Sequence, residues 1–129
     1  MLKRTIPVGR GPSDAENPAA LGLTHRIYPG GHATAVIRGE LDAATADAAR
    51  EYVANVIARS RGAVEVDLTG LSFCDARGLR ALVGMAACAR SNGRRLKLTG
   101  TRPGIVKIMR ITGVDANFPE LREQRLASA

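Results

Sequence analysis

The apolar positions of this chain change period several times, and each change marks an element. Leu23 to Tyr28 and Ala33 to Arg38 are short strand-like runs, with Leu23 and Ile27 sharing one face and Ala33, Ala35 and Ile37 another. Pro29-Gly30-Gly31 between them is a hairpin signal. Gly39-Glu40-Leu41-Asp42 is expected to break the second strand. Asp42 or Thr45 then caps a helix whose Ala49, Val53, Val56 and Ile57 recur at helical spacing. Arg59-Ser60-Arg61-Gly62 reads as its end, with basic residues and a C-terminal glycine. Ala63 to Leu68 follows as a strand with Val64, Val66 and Leu68 on one face, and Thr69 to Asp75 as a connector.

A second helix is expected from about Ala76 to Ser91, with an apolar stripe of Leu79, Leu82, Val83 and Ala86, closed by Asn92-Gly93. Leu96 and Leu98 mark a strand, and Gly104 to Ile111 a short helix on Ile105, Ile108 and Met109 that ends at Thr112-Gly113. Val114 to Phe118 reads as a last strand and Glu120 to Ala127 as a weak C-terminal helix. Residues 1–20, with Pro7, Gly9, Gly11, Pro12 and Pro18, form an extended or loosely ordered leader able to donate an edge strand through Ile6 and Val8. Strands alternating with helices after an opening hairpin imply an α/β fold. Its sheet is mixed and largely parallel, with about four α-helices packed on it.

At 129 residues there is room for one domain. A composition of 45% hydrophobic and 24% charged residues is that of an ordinary globule, without a run of ~20 apolar residues to insert into a membrane. Two cysteines and no apolar signal segment behind Lys3 and Arg4 fit a reducing cytoplasm. The net charge of +7 is unevenly spread. Ala76 to Val114 holds no Asp or Glu but nine basic residues, among them Arg77, Arg80, Arg94 and Arg110. An acidic partner surface suits that half, the alternative being a solvated face. Nucleic acid is disfavoured, because aromatics are only 3% and no recognition motif accompanies the charge.

Enzymatic chemistry finds little support. No glycine-rich phosphate loop stands between a strand and a helix, and Gly9-Arg10-Gly11 has no strand before it. His25 and His32 flank the hairpin turn without a third ligand nearby, so solvated strand histidines are the better account. Cys74 and Cys88 are separated by helix: twelve or so helical residues rise ~18 Å, against the ~4.4–6.8 Å a disulfide spans. A nucleophilic Cys74 at a helix N-terminus would need a lowered pKa and a histidine partner; a small buried apolar side chain is the alternative. No cofactor or metal is expected. The corner Asp67-Leu68-Thr69-Gly70-Leu71-Ser72-Phe73-Cys74-Asp75-Ala76-Arg77-Gly78-Leu79 is the better candidate. It sets a carboxylate at a helix mouth, at the carboxyl end of the sheet, as an N-cap and as a recognition surface.

Three segments, Gly39-Glu40-Leu41-Asp42-Ala43-Ala44-Thr45-Ala46, Val66 to Leu79 and Ile111-Thr112-Gly113-Val114, resemble the STAS domain in order and spacing. That family comprises bacterial anti-sigma-factor antagonists and cytoplasmic domains of sulfate transporters. The resemblance covers about Leu23 to Phe118 and implies a STAS-like domain over residues 21–129. In stand-alone antagonists the corner reads Asp-Ser-Ser-Gly-Leu. The unphosphorylated form binds an anti-sigma factor, a GHKL-type serine kinase, and frees a sigma factor; phosphorylation of the first serine ends the interaction. Asp75, Gly78 and Leu79 match that pattern, whereas Ala76 and Arg77 replace the serines. The resemblance therefore implies a cytoplasmic, non-enzymatic regulator, monomeric or weakly dimeric. Its partner-binding positions are Asp42, Thr45, Asp75, Ala76, Arg77, Gly78, Leu79 and Arg80, with no phospho-acceptor at Ala76. The alternatives are a STAS subunit of a phospholipid-transport complex or, less favoured, a basic nucleic-acid binder. Ser72, Thr69 and Thr45 are the hydroxyls left nearby, and redox chemistry at Cys74 is another conceivable input.

Overall fold

In the computed structural model, which describes residues 2–8 and 21–121, the chain opens with strand β1 (Leu2–Val8), paired antiparallel with β2 (Leu21–Ile27). Part of the stretch read as a leader is thus an edge strand. The Pro29-Gly30-Gly31 turn then returns the chain into β3 (Ala33–Leu41), antiparallel to β2, with Tyr28 N–H and His32 carbonyl closing the hairpin at 2.9 Å. Helix α1 (Ala46–Arg59) leads to β4 (Val64–Asp67), then β5 (Leu71–Cys74) and helix α2 (Ala76–Ser91). Strand β6 (Leu96–Thr99) and helix α3 (Pro103–Thr112) follow.

The sheet order is β1-β2-β3-β4-β6, with β5 also on β3; β4, β5 and β6 all run parallel to their neighbours. The expected mixed, largely parallel α/β architecture is the one observed. Three α-helices lie wholly within the described residues, and 119–121 are helical; the rest of the expected C-terminal helix falls outside the described residues.

One face of the sheet carries the core. Leu21, Leu23, Ala35, Ile37, Val64, Val66 and Leu98 meet Val53 and Ile57 of α1, Leu79, Leu82 and Met85 of α2, and Ile105 and Met109 of α3 in one cluster. The helical stripes face it because their apolar residues recur at three and four positions. The opposite face exposes Arg26, Arg38, Glu65 and Lys97.

Four expectations are corrected. Gly39 does not end its strand: at φ 103°, a conformation open to glycine, it makes a bulge where β3 leaves β4 and takes β5 as partner. The connector from Thr69 to Asp75 contains β5, which exists because the tail of β3 offers it a ladder. Helix α1 ends at Arg59 within the expected segment, but its C-cap is Ser60, with extended backbone, and not Gly62, whose N–H donates to the Gly31 carbonyl at 2.9 Å. Val114–Asn117 is a 3₁₀ turn and not a strand; it follows Gly113, left-handed at φ 81°, and leads into the buried Phe118.

Candidate functional site

The parallel strands bring their carboxyl ends to one edge, and α1, α2 and α3 all start there. The β3–β5 register opposes Leu41 to Cys74, so the next residues, Asp42 and Asp75, lie side by side. The Asp75 N–H donates to the Leu41 carbonyl at 3.2 Å and ties the two loops together. Asp75 is the N-cap of α2: its backbone is extended, and its Oδ1 accepts the Gly78 N–H at 2.9 Å.

Gly78 is buried because the first turn of α2 rests on β3. A methyl group there would collide with the Leu41 carbonyl oxygen and stand 2.8 Å from Cys74 Sγ. Leu79 points into the core. Ala76, Arg77 and Arg80 are exposed, and no side chain of this corner other than Asp75 caps the helix. The sequence therefore divides the motif: Asp75, Gly78 and Leu79 hold the backbone in place, while Ala76, Arg77 and Arg80 form its outer surface.

The loop after β3 is built differently. Asp42 Oδ1 accepts the Ala44 N–H at 2.9 Å and the Thr45 N–H at 3.2 Å. The Thr45 hydroxyl accepts the Asp42 N–H at 3.0 Å and donates to the Glu40 carbonyl at 2.9 Å. Thr45 is only 2% exposed, so it shapes the turn from inside, whereas Asp42 is half-buried at the rim. Ser72 is tied to the Gly39 carbonyl at 3.0 Å, and Thr69 to Asp67 Oδ1 at 2.6 Å. Both hydroxyls have structural duties.

Cys74 is not an activated nucleophile. Burial, and secondarily the Asp75 charge, push its thiol up to about 12, so the helix N-terminus does not prevail. Cys74 and Cys88 are both free thiols. Of the two histidines expected to be solvated, His32 is exposed and His25 is not. His25 is buried and shares a 2.6 Å hydrogen bond with the Tyr52 hydroxyl of α1, while His32 stacks on Tyr28 with ring centroids 4.4 Å apart. Among the described residues no group of three or more His, Cys, Asp or Glu is placed to hold a metal, and no helix is long and apolar enough to cross a membrane.

The sequence reading missed two surface features. Phe73, 48% exposed, stands on β5 just before the corner, and Ile108 and Ile111 are exposed on α3, Ile111 at 74%. Arg50 of α1 joins Arg77 and Arg80 of α2 around one groove. Its spacing of three and four residues from Asp47 and Ala46 was the available signal, but only the crossing of the helices shows what it faces.

The family model described as "Mlab, STAS domain" matches residues 29–123. The chain belongs to the STAS-domain family. An anti-sigma-factor antagonist from Mycobacterium paratuberculosis shares 25% identity over 80% of this chain and 86% of its own, with a TM-score of 0.66. The Bacillus cell fate determinant SpoIIAA, solved in its phosphorylated form, shares 18% identity over 74% of this chain and 87% of its own at a TM-score of 0.58. A sulfate transporter family protein from Wolinella succinogenes shares 21% identity over 70% of this chain and 74% of its own at 0.60. The last two likenesses concern the fold.

Proposed function

We propose that this STAS domain is an anti-sigma-factor antagonist that works by binding and is not switched by phosphorylation at the family position. The carrying observation is the corner after β5: a rigidly capped helix start at the sheet's carboxyl edge, with Ala76 exposed one residue past the cap. A methyl group offers no oxygen to a phosphoryl donor. Phosphorylation of a serine there would add a charge of ~−1.5 to −2 at the helix mouth; Arg77 beside it instead carries a fixed positive charge. Docking would use Arg77 and Arg80 with the rim carboxylates Asp42 and Asp75, over a frame set by Thr45, Gly78 and Leu79. The acid-free half favours an anti-sigma factor of the serine-kinase kind with an acidic contact surface, met in the cytoplasm. Residues 21–129 would be the binding module, monomeric or weakly dimeric, without cofactor or catalysis of its own.

Capture from native cytosol, with the partner identified by mass spectrometry, tests the class of partner. Recovery of a transporter ATPase in place of an anti-sigma factor would replace this reading with the phospholipid-transport one. With the partner in hand, incubation with ATP should leave the wild-type mass unchanged and add one phosphate to Ala76→Ser. A phosphate on the wild type at Thr45, Thr69 or Ser72 contradicts the proposal. Arg77→Glu should weaken the complex about tenfold or more, with slower association as salt rises; an unchanged affinity would remove the corner from the interface.

A further inference from the structure

The groove between α1 and α2 shares Arg77 and Arg80 with the docking corner and adds Arg50 to them. Each helix turns residues at spacing i, i+3, i+4 towards it: Ala46, Asp47 and, one turn on, Arg50 from α1; Arg77, Arg80 and Ala81 from α2. The small alanines leave unfilled a cavity of about 130 Å³ between the helices. That is well beyond the ~10–15 Å³ at which a cavity first admits one water. Three arginines and a single acidic residue, Asp47, are among the residues that line it. Among the described residues, no hydrogen bond or ion pair engages any of these three guanidinium groups. Arg50 is aimed by packing. Its stem crosses α2 at Gly84, where a methyl group would stand 2.9 Å from Arg50 Cδ.

Three like charges gathered on one small cavity repel one another, and a bound anion converts that repulsion into attraction. Guanidinium forks match the paired oxygens of a tetrahedral oxyanion, and they hold it more strongly than neutral donors would. Asp47 lowers the excess to two positive charges, which matches the charge of a phosphate near neutrality.

We propose that this groove is a binding site for a phosphate-class oxyanion held by Arg50, Arg77 and Arg80. The ligand chemistry is a phosphate group, whether inorganic or a phosphomonoester. Occupancy would neutralise two arginines of the corner and so compete with an acidic partner, giving this domain, which has no hydroxyl at position 76, a ligand input. The site is testable on the chain alone and stands or falls without the partner.

The experiment follows backbone amides of the isotope-labelled full chain by NMR at pH 7, titrating inorganic phosphate or O-phosphoserine against sodium chloride at matched ionic strength. Expected are saturable shifts at residues 43–50 and 77–84 that chloride does not reproduce. Arg50→Gln, which keeps helix propensity, should weaken binding about tenfold, the value of one charge-assisted contact. Gly84→Ala, which displaces the Arg50 stem, should weaken it in the same direction, and Arg59→Gln should change nothing. Tighter binding of O-phosphoserine would identify a phosphomonoester as the ligand, and equal binding the free ion. Shifts that never saturate, that spread over every arginine-bearing segment, or that survive Arg50→Gln would overturn the proposal, whatever the partner experiments give.

Discussion

Replacing Gly78 with alanine sets two opposed effects against each other at a single methyl group. Alanine is the better helix former by ~0.5–1 kcal/mol. Against this, the methyl group would collide with the Leu41 carbonyl oxygen and lie 2.8 Å from Cys74 Sγ and 3.0 Å from Leu41 Cγ. The first of these contacts is backbone, so relief requires α2 to move away from β3. Overpacking of this kind costs ~1–3 kcal/mol, and the 3.2 Å bond from the Asp75 N–H to the same carbonyl would be strained with it, at ~0.5–1.5 kcal/mol. The net expectation is a loss of ~1–3 kcal/mol, or a Tm lower by roughly 3–10 °C for a domain of this size. Urea unfolding followed by circular dichroism reads the difference. Gly104→Ala is the control: that position is also helical, nothing lies within 4 Å of an added methyl, and the variant should be neutral or up to ~1 kcal/mol more stable. If both variants gain stability alike, the close approach of α2 to β3 is not what demands the glycine.

At pH 8, Ellman's reagent should titrate Cys88 alone in the native protein and both thiols in urea; rapid release from two native thiols would contradict the buried, protonated Cys74. Because folding raises the Cys74 pKa to about 12, the native state holds that proton longer than the unfolded chain does. Its share of stability is whole below the unfolded thiol value and declines as pH climbs towards 12, a slope that Cys74→Ala should flatten. Tyr52→Phe removes the 2.6 Å bond to buried His25 and should lower stability by ~1–3 kcal/mol in urea unfolding; no loss would mean that the contact is energetically idle. Asp75→Ala should lower stability by ~0.5–2 kcal/mol and Asp75→Asn by much less, whereas equal losses would assign the effect to the carboxylate's charge.

The long elements were legible because their signal is local. The α2 stripe and the Pro29-Gly30-Gly31 turn lie within the segments they organise, and so does the Asp75–Gly78 cap. What was not legible depends on neighbours distant in sequence. Strand β5 breaks alternation, with Leu71 and Cys74 inward and Ser72 and Phe73 both exposed, and it is a strand only because β3 continues past Gly39. The last residues of its partner strand were missed for a related reason: a glycine that reads locally as a stop works here as a bulge. His25 shared the inward face of Leu23 and could have been placed by period alone, but its partner Tyr52 is 27 residues away. Of the corner, the cap was readable and the surface was not, because the grouping of Arg50 with Arg77 and Arg80 is decided by how two helices cross.

The division of labour at residues 75–79 has a consequence for how such modules diverge. The backbone at 76 and 77 is fixed from both sides, by the Asp75 carboxylate behind and by the tight seat of Gly78 ahead, and neither outward side chain helps to hold it. One or two substitutions at that pair can therefore install, delete or exchange a chemical input while a partner's footprint stays where it was. Wiring can drift in a lineage without any change in shape.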